Sequence, residues 1–162
     1  MDLKYVSFVI FFLLEVAANG TTSSGQERFV TTKRSETYLR IGPDRKFPIE
    51  WVYLKAHYPF KVIAEFEDWY KVQDSEGTEG WVIKKSVSSA RRWVYVIKDM
   101  SVLQKEATQD SRPLAYLKKG VLGRLDKCQK GWCRIEIKSP DHSFKGWVLG
   151  VDVWGLYAQE MQ

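Results

Sequence analysis

The amino-acid sequence predicts an all-β protein, built from two small barrels in tandem behind an N-terminal signal peptide. Three observations carry that prediction. Trp69-Tyr70-Lys71-Val72-Gln73 alternates at period two, breaks at Asp74-Ser75-Glu76-Gly77 and resumes at Gly80-Trp81-Val82, the pattern of a strand–turn–strand hairpin. About 65 residues later the pattern returns as Trp132-Cys133-Arg134-Ile135-Glu136-Ile137, a turn at Ser139-Pro140-Asp141, and Gly146-Trp147-Val148. After the leader, no stretch of a dozen residues carries an apolar stripe at helical spacing.

Residues 1–18 begin with Lys4, continue as an apolar run over 5–14 and end on Val16-Ala17-Ala18. That is the order of a secretory signal peptide cleaved after Ala18. A run of about ten residues falls short of the roughly 20 that a spanning helix needs, so no stable membrane span is expected after cleavage. Cleavage removes Lys4, Asp2 and Glu15 and moves the formal charge from +5 to +6. Residues 19–28 are small and polar, a flexible lead-in. They include Asn19-Gly20-Thr21, formally a glycosylation sequon but a pattern of little weight.

Residues 29–88 form the first unit. Tyr38-Leu39-Arg40-Ile41 stops at the turn signal Gly42-Pro43-Asp44, residues 49–54 hold Trp51, Val52 and Tyr53, and 60–66 hold Val62, Ile63 and Phe66. Residues 86–92 are small and polar and read as the junction. The order then repeats over 89–157: Val102-Leu103 for Tyr38-Leu39, 114–117 for 52–54, and 121–125 for 58–62. Trp132 and Trp147 stand for Trp69 and Trp81, and a short tail, 158–162, follows. Units of roughly 60 residues bury surface only marginally, so each needs its neighbour or a covalent staple.

With 44% hydrophobic and 14% aromatic residues the chain is a folded protein, not a disordered one. Its pI of about 9.1 favours acidic partners without choosing among them. Strand alternation puts Tyr70 and Val72 on the barrel side and Trp69, Lys71 and Gln73 on the other. In the second unit Cys133 and Ile135 face in, and Trp132, Arg134 and Glu136 face out. An outward Trp suits a peptide or a sugar, because its flat face stacks and its indole N–H donates. Trp69 and Trp132 are therefore candidate ligand contacts, the alternative being that each caps its barrel. Trp81 and Trp147, each before a Val in a closing strand, are expected in the core.

Cys128 and Cys133, the only cysteines, flank a four-residue loop. An even count in an exported chain and opposed places in a hairpin predict a disulfide; two free buried thiols are the alternative. A metal site is not expected from two ligands. Asp141-His142-Ser143 has triad residue types, but adjacent residues cannot take triad geometry. His57 lies in another expected loop. No His-Glu-x-x-His, Gly-x-Ser-x-Gly or phosphate-binding glycine loop is present, so neither an enzyme nor a cofactor is predicted. The densest basic cluster is Arg91-Arg92 beside Trp93, with Lys84-Lys85 nearby. Basic residues interleaved with aromatics can hold single-stranded nucleic acid, but export would separate the two.

Leu39-Arg40-x-Gly42-Pro43, the Trp69-Tyr70-Lys71-Val72 strand and the Gly80-Trp81-Val82 close resemble the bacterial SH3-like domain, and the resemblance runs through both units to Trp154-Gly155-Leu156-Tyr157. In the second unit Gln104-Lys105-Glu106 replaces Arg40-Ile41-Gly42. The resemblance implies exported or periplasmic tandem SH3-like barrels with a binding role in the cell envelope. The implied partner is peptidoglycan, its stem peptides or a peptide of an envelope protein. Trp69 is the principal candidate contact, with Trp51, Tyr53 or Tyr58 lining the same groove. The rival readings are an accessory or inhibitor docking on a cell-wall hydrolase, and a basic nucleic-acid-binding protein.

Overall fold

The structure, a computed structural model, describes residues 27–139 and 142–162. The expected signal peptide, residues 19–26 of the lead-in, and Pro140 and Asp141 of the second hairpin turn lie outside the described residues. The first unit comprises β1 (Arg28–Thr32), β2 (Thr37–Arg40), β3 (Ile49–Tyr53), β4 (Pro59–Phe66), β5 (Trp69–Gln73), β6 (Glu79–Ile83) and β7 (Val87–Ser88). The second comprises β8 (Trp93–Val96), β9 (Met100–Gln104), β10 (Pro113–Lys118), β11 (Leu122–Gln129), β12 (Trp132–Lys138), β13 (Ser143–Leu149) and β14 (Val153–Trp154). The sheet orders are β3-β2-β6-β5-β4-β1-β7 and β10-β9-β13-β12-β11-β8-β14. Adding seven to every strand of the first gives the second, so the tandem repeat is exact in topology. Among the described residues there is no α-helix, and none long and apolar enough to cross a membrane.

Register fixes the correspondence between the units. Arg40 faces Trp81 and Gln104 faces Trp147. Both long hairpins bulge at the same place, between Val62 and Ala64 and between Leu125 and Lys127. Such a bulge re-aims a strand and tightens its twist. One alignment is corrected by a residue: Trp51 faces Leu39 as Ala115 faces Leu103, so Tyr53, not Leu54, corresponds to Leu117. The expected junction also gives up two residues to the fold. Val87 and Ser88 pair with Thr32 and Thr31, and Val87 is buried.

Each sheet wraps its own core, one around Leu39, Phe60, Val72 and Val82, the other around Leu103, Ile135, Val148 and Cys133. The glycines of the two Gly-Trp-Val elements have a steric cause. A Cβ on Gly80 would lie 2.5 Å from Leu39 Cγ, and one on Gly146 2.6 Å from the Gln104 carbonyl oxygen. Only glycine lets the closing strand approach β2 or β9 so closely. The two cores fill the same space differently. Phe60 and Val72 of the first correspond to Gly123 and Ile135 of the second, and a Cβ on Gly123 would lie 2.9 Å from Ile135 Cδ1. The extra methylene of Ile135 relative to Val72 takes part of the space that the Phe60 ring fills in the first unit, and the missing side chain of Gly123 makes room for it.

The barrels meet along an aromatic seam. Trp154 donates its indole N–H to the Pro59 carbonyl at 3.0 Å and stands edge-on to Phe29. Tyr58 packs on Tyr95 at 5.0 Å, and His57 stacks flat on Trp93 at 4.1 Å. The tail is part of this seam. The Ala158 N–H donates to Glu27, and Arg92 makes a two-pronged pair with Glu160 at 2.7 Å, donates to the Gly155 carbonyl and lies 4.0 Å over the Tyr157 ring. Arg92 of the basic cluster is thus committed to structure, and Lys84 pairs with Glu65. Within unit one, Arg28 and Lys84 both sit over the Tyr70 ring and both pair with Glu65.

Where Glu65 faces Tyr70 in the first hairpin, Cys128 faces Cys133 in the second, and these are joined as a disulfide. Closing so short a loop stabilises by about 2 kcal/mol in the chain-entropy model. The double variant Cys128→Ser/Cys133→Ser is expected to keep the far-ultraviolet spectrum and lose about that much unfolding free energy in urea. Glu160 gives a pH prediction. Burial pulls its pKa upward, but the Arg92 fork and the Tyr157 N–H outweigh burial and hold it below the ordinary value. A depressed folded pKa contributes stability that is present above the unfolded value near 4.5 and lost as pH falls through the folded one. Glu160→Gln is therefore expected to be less stable than the parent at pH 7, with a gap in urea melts that narrows as pH falls below 4.5 and closes once pH passes the depressed folded pKa.

Candidate functional site

An aromatic cleft lies where β3, the sheet edge, passes the turn between β5 and β6. Its volume is about 410 Å³, and its walls include Trp51, Tyr53, Tyr58, Asp74 and, from the second unit, Tyr95. An edge strand has one neighbour only, so Trp51 is left 55% exposed, with Val52 and Leu54 also open to solvent. Tyr53 continues the strand but turns into the core, edge-on to Phe60 at 4.7 Å and 5.0 Å from Tyr58.

Asp74 organises the floor. Its Oδ1 accepts the N–H groups of Glu76 and Thr78, both at 2.8 Å, and its Oδ2 accepts the Tyr53 hydroxyl at 2.7 Å. The Asp side chain thereby folds its own turn and ties it to β3. Tyr58 is paired through its hydroxyl with Ser75 Oγ at 2.9 Å and accepts the Ser75 N–H at 3.3 Å. Burial, reinforced by the Asp74 hydrogen bond, pushes the Tyr53 phenol far above its ordinary pKa, and burial also raises Tyr58. Both remain neutral hydroxyls. Lys55 donates to the Gly120 carbonyl, and Lys119 pairs with Glu76 at 3.0 Å, which fixes the second unit against the rim.

The repeat supplies an internal control. Tyr53, Tyr58 and Asp74 correspond to Leu117, Val121 and Ile137 in the second unit, all packed on its core. The second unit therefore has no counterpart of this polar floor.

Of the five residues expected to contact ligand, the structure brings Trp51, Tyr53 and Tyr58 together and leaves the other two elsewhere. Trp69 is not an outward ring: it is 7% exposed, flanked in register by Phe66 and Ile83, and forms part of the floor of a different groove. Cross-strand neighbours on one face cover one another, which the alternation of a single strand does not reveal. Trp132 is half-buried between Gln129 and Leu149, away from the cleft. Trp147 is buried as expected, but Trp81 is only half-buried and leaves the core to Val82. Asp74 and Tyr95 were not among the expected contacts. Asp74 reads as an ordinary turn residue, and Tyr95 joins the cleft only because the units dock.

The family model described as "Bacterial SH3 domain" matches residues 33–89 and again 98–155. No curated protein matches the chain. Similar solved structures include NlpC2 and NlpC1 from Trichomonas vaginalis, at 11% and 13% identity and a TM-score of 0.35 each. The alignments cover 79% and 82% of this chain but 48% and 47% of those structures, so the chain spans about half the length of each.

Removing the carboxylate leaves three donors without their acceptor. Asp74→Ala is expected to cost about 2–3 kcal/mol of unfolding free energy, since hydrogen bonds to a charged group contribute about 1.5–3 kcal/mol. Tyr53→Phe, which removes one donor and keeps the turn, is expected to cost clearly less in the same urea titration.

Proposed function

The chain belongs to the bacterial SH3 domain family, and on that premise we propose that it is an exported, non-enzymatic binding module of the cell envelope that recognises a peptide. The candidate ligand is a stem peptide of peptidoglycan or an extended segment of an envelope protein. The observation that carries this reading is the cleft itself, an exposed indole beside two neutral phenols and a fixed carboxylate. Trp51 offers a flat stacking face and an N–H donor, while Tyr53, Tyr58 and Asp74 hold a pre-ordered floor that loses little entropy on binding. Tyr95 closes the cleft from the second barrel, so both units are needed for one site.

The second reading, an accessory or inhibitor docking on a cell-wall hydrolase, is favoured by β3 being a sheet edge. Its outer backbone groups are available to an added strand, with Trp51 as the anchor beside it. Pelleting with isolated peptidoglycan sacculi separates the readings. Retention is expected, with Trp51→Ala weakening it about 30-fold, as loss of a central aromatic contact of about 2 kcal/mol implies. Trp51 is exposed, so its removal leaves the fold intact. Failure of the parent protein to pellet, with retention on an immobilised cell-wall hydrolase, selects the docking reading. Undiminished pelleting of Trp51→Ala removes the cleft from the function.

A further inference from the structure

The groove at Trp69 has a different chemistry from the Trp51 cleft. It encloses about 690 Å³, and five cations line it: Lys33, Arg34, Arg40, Arg45 and Lys85. The only carboxylate in its lining is Glu36, which is bonded to the Tyr38 hydroxyl. Among the described residues none of the five cations is in an ion pair, whereas Arg28, Lys61, Lys71, Lys84 and Arg92 all are. Arg40 donates to the Phe47 carbonyl and Lys33 to the Lys85 carbonyl, which places them without neutralising them. Like charges gathered around one concavity repel one another and focus a positive potential into it.

The second unit shows that the fold does not require this arrangement. By register, Ile97, Lys98, Gln104 and Val151 stand where the first unit has Lys33, Arg34, Arg40 and Lys85. The one cation that remains, Lys98, is neutralised by Asp152, which replaces Ser86 and also accepts the Ser101 hydroxyl at 2.7 Å. One barrel has discharged the groove and the other has filled it with positive charge.

We infer that the Trp69 groove is a second binding site, separate from the Trp51 cleft, for a polymer carrying phosphate groups along its backbone. Guanidinium forks match phosphate oxygens, and a tetrahedral phosphate is contacted from several sides at once, as cations around a concavity require. Single-stranded nucleic acid is the less suited polyanion. Its binders stack successive bases on exposed rings, and here Trp69 is covered, leaving one open ring, Tyr38 at 43% exposure.

The test is titration of the protein with short-chain inorganic polyphosphate by calorimetry across a salt series. Five neutralised phosphates give a slope of log K against log salt of about −3.5, or about 100-fold weaker binding at 200 mM than at 50 mM salt. Arg34→Gln/Arg45→Gln is expected to make that slope shallower by about 1.4. Neither side chain is hydrogen-bonded among the described residues, and Arg45→Glu alone serves as a second variant. The equal-charge control Lys105→Gln/Arg112→Gln, outside the groove, is expected to leave the slope unchanged. The inference is overturned if polyphosphate does not bind at about 50 mM salt, or if control and groove variants weaken it equally. Equal affinity for polyglutamate overturns the phosphate assignment, and tighter binding of oligothymidylate than of polyphosphate selects nucleic acid instead.

Discussion

The seam between the barrels is the contact on which the rest of the molecule depends. A unit of roughly 60 residues buries too little apolar surface to be comfortably stable by itself. Here Trp154 reaches from the end of the second unit to the Pro59 carbonyl of the first, and Phe29, Tyr58, Trp93 and Tyr95 fill the space around it. Arg92 and Glu160 then lock the C-terminal turn over the same region. The seam is polar at its ends and aromatic in its middle, which fixes one relative orientation of the units. That orientation is what brings Tyr95 to the Trp51 cleft.

The two SH3-like units share strand order, bulges and closing glycines, and differ where function would be expected to act. Their cores exchange Phe60 and Val72 for Gly123 and Ile135. Their long hairpins are held by different means: in the first, Arg28 and Lys84 grip Glu65 and Tyr70; in the second, a disulfide takes the same register position. The cleft residues Tyr53 and Asp74 become Leu117 and Ile137, and the cations of the Trp69 groove become apolar, neutral or paired. At Leu117 and Ile137 the second unit puts apolar contacts where the first has buried hydrogen bonds, and at Ile97 and Val151 it puts apolar side chains where the first has cations. The first unit keeps unpaired cations that the second shows the fold can do without.

How far the sequence spoke for itself can be judged from particular residues. The Trp69-Tyr70-Lys71-Val72 strand and its Trp132 counterpart announced the hairpins, because alternation and turn residues are local properties of the chain. The pairing of Cys128 with Cys133 was legible for the same reason, five residues apart across a tight turn. Trp51, Tyr53 and Tyr58 could be named together because they lie within one short stretch of the chain. Trp69 was misplaced because its exposure depends on Phe66 and Ile83, which other strands bring alongside it.

Legible along the chain, then, were the all-β class, the tandem repeat, the hairpins with their glycines, and the aromatic stock of the first unit. The tertiary structure alone decided which aromatics stay open, because covering a ring takes neighbours distant in the chain. It also decided that Asp74 would serve Tyr53, that Tyr95 would cross into the first unit's cleft, and that five scattered cations would share one groove. Those are distances through space between residues far apart in sequence, and only the docked, wrapped sheets set them.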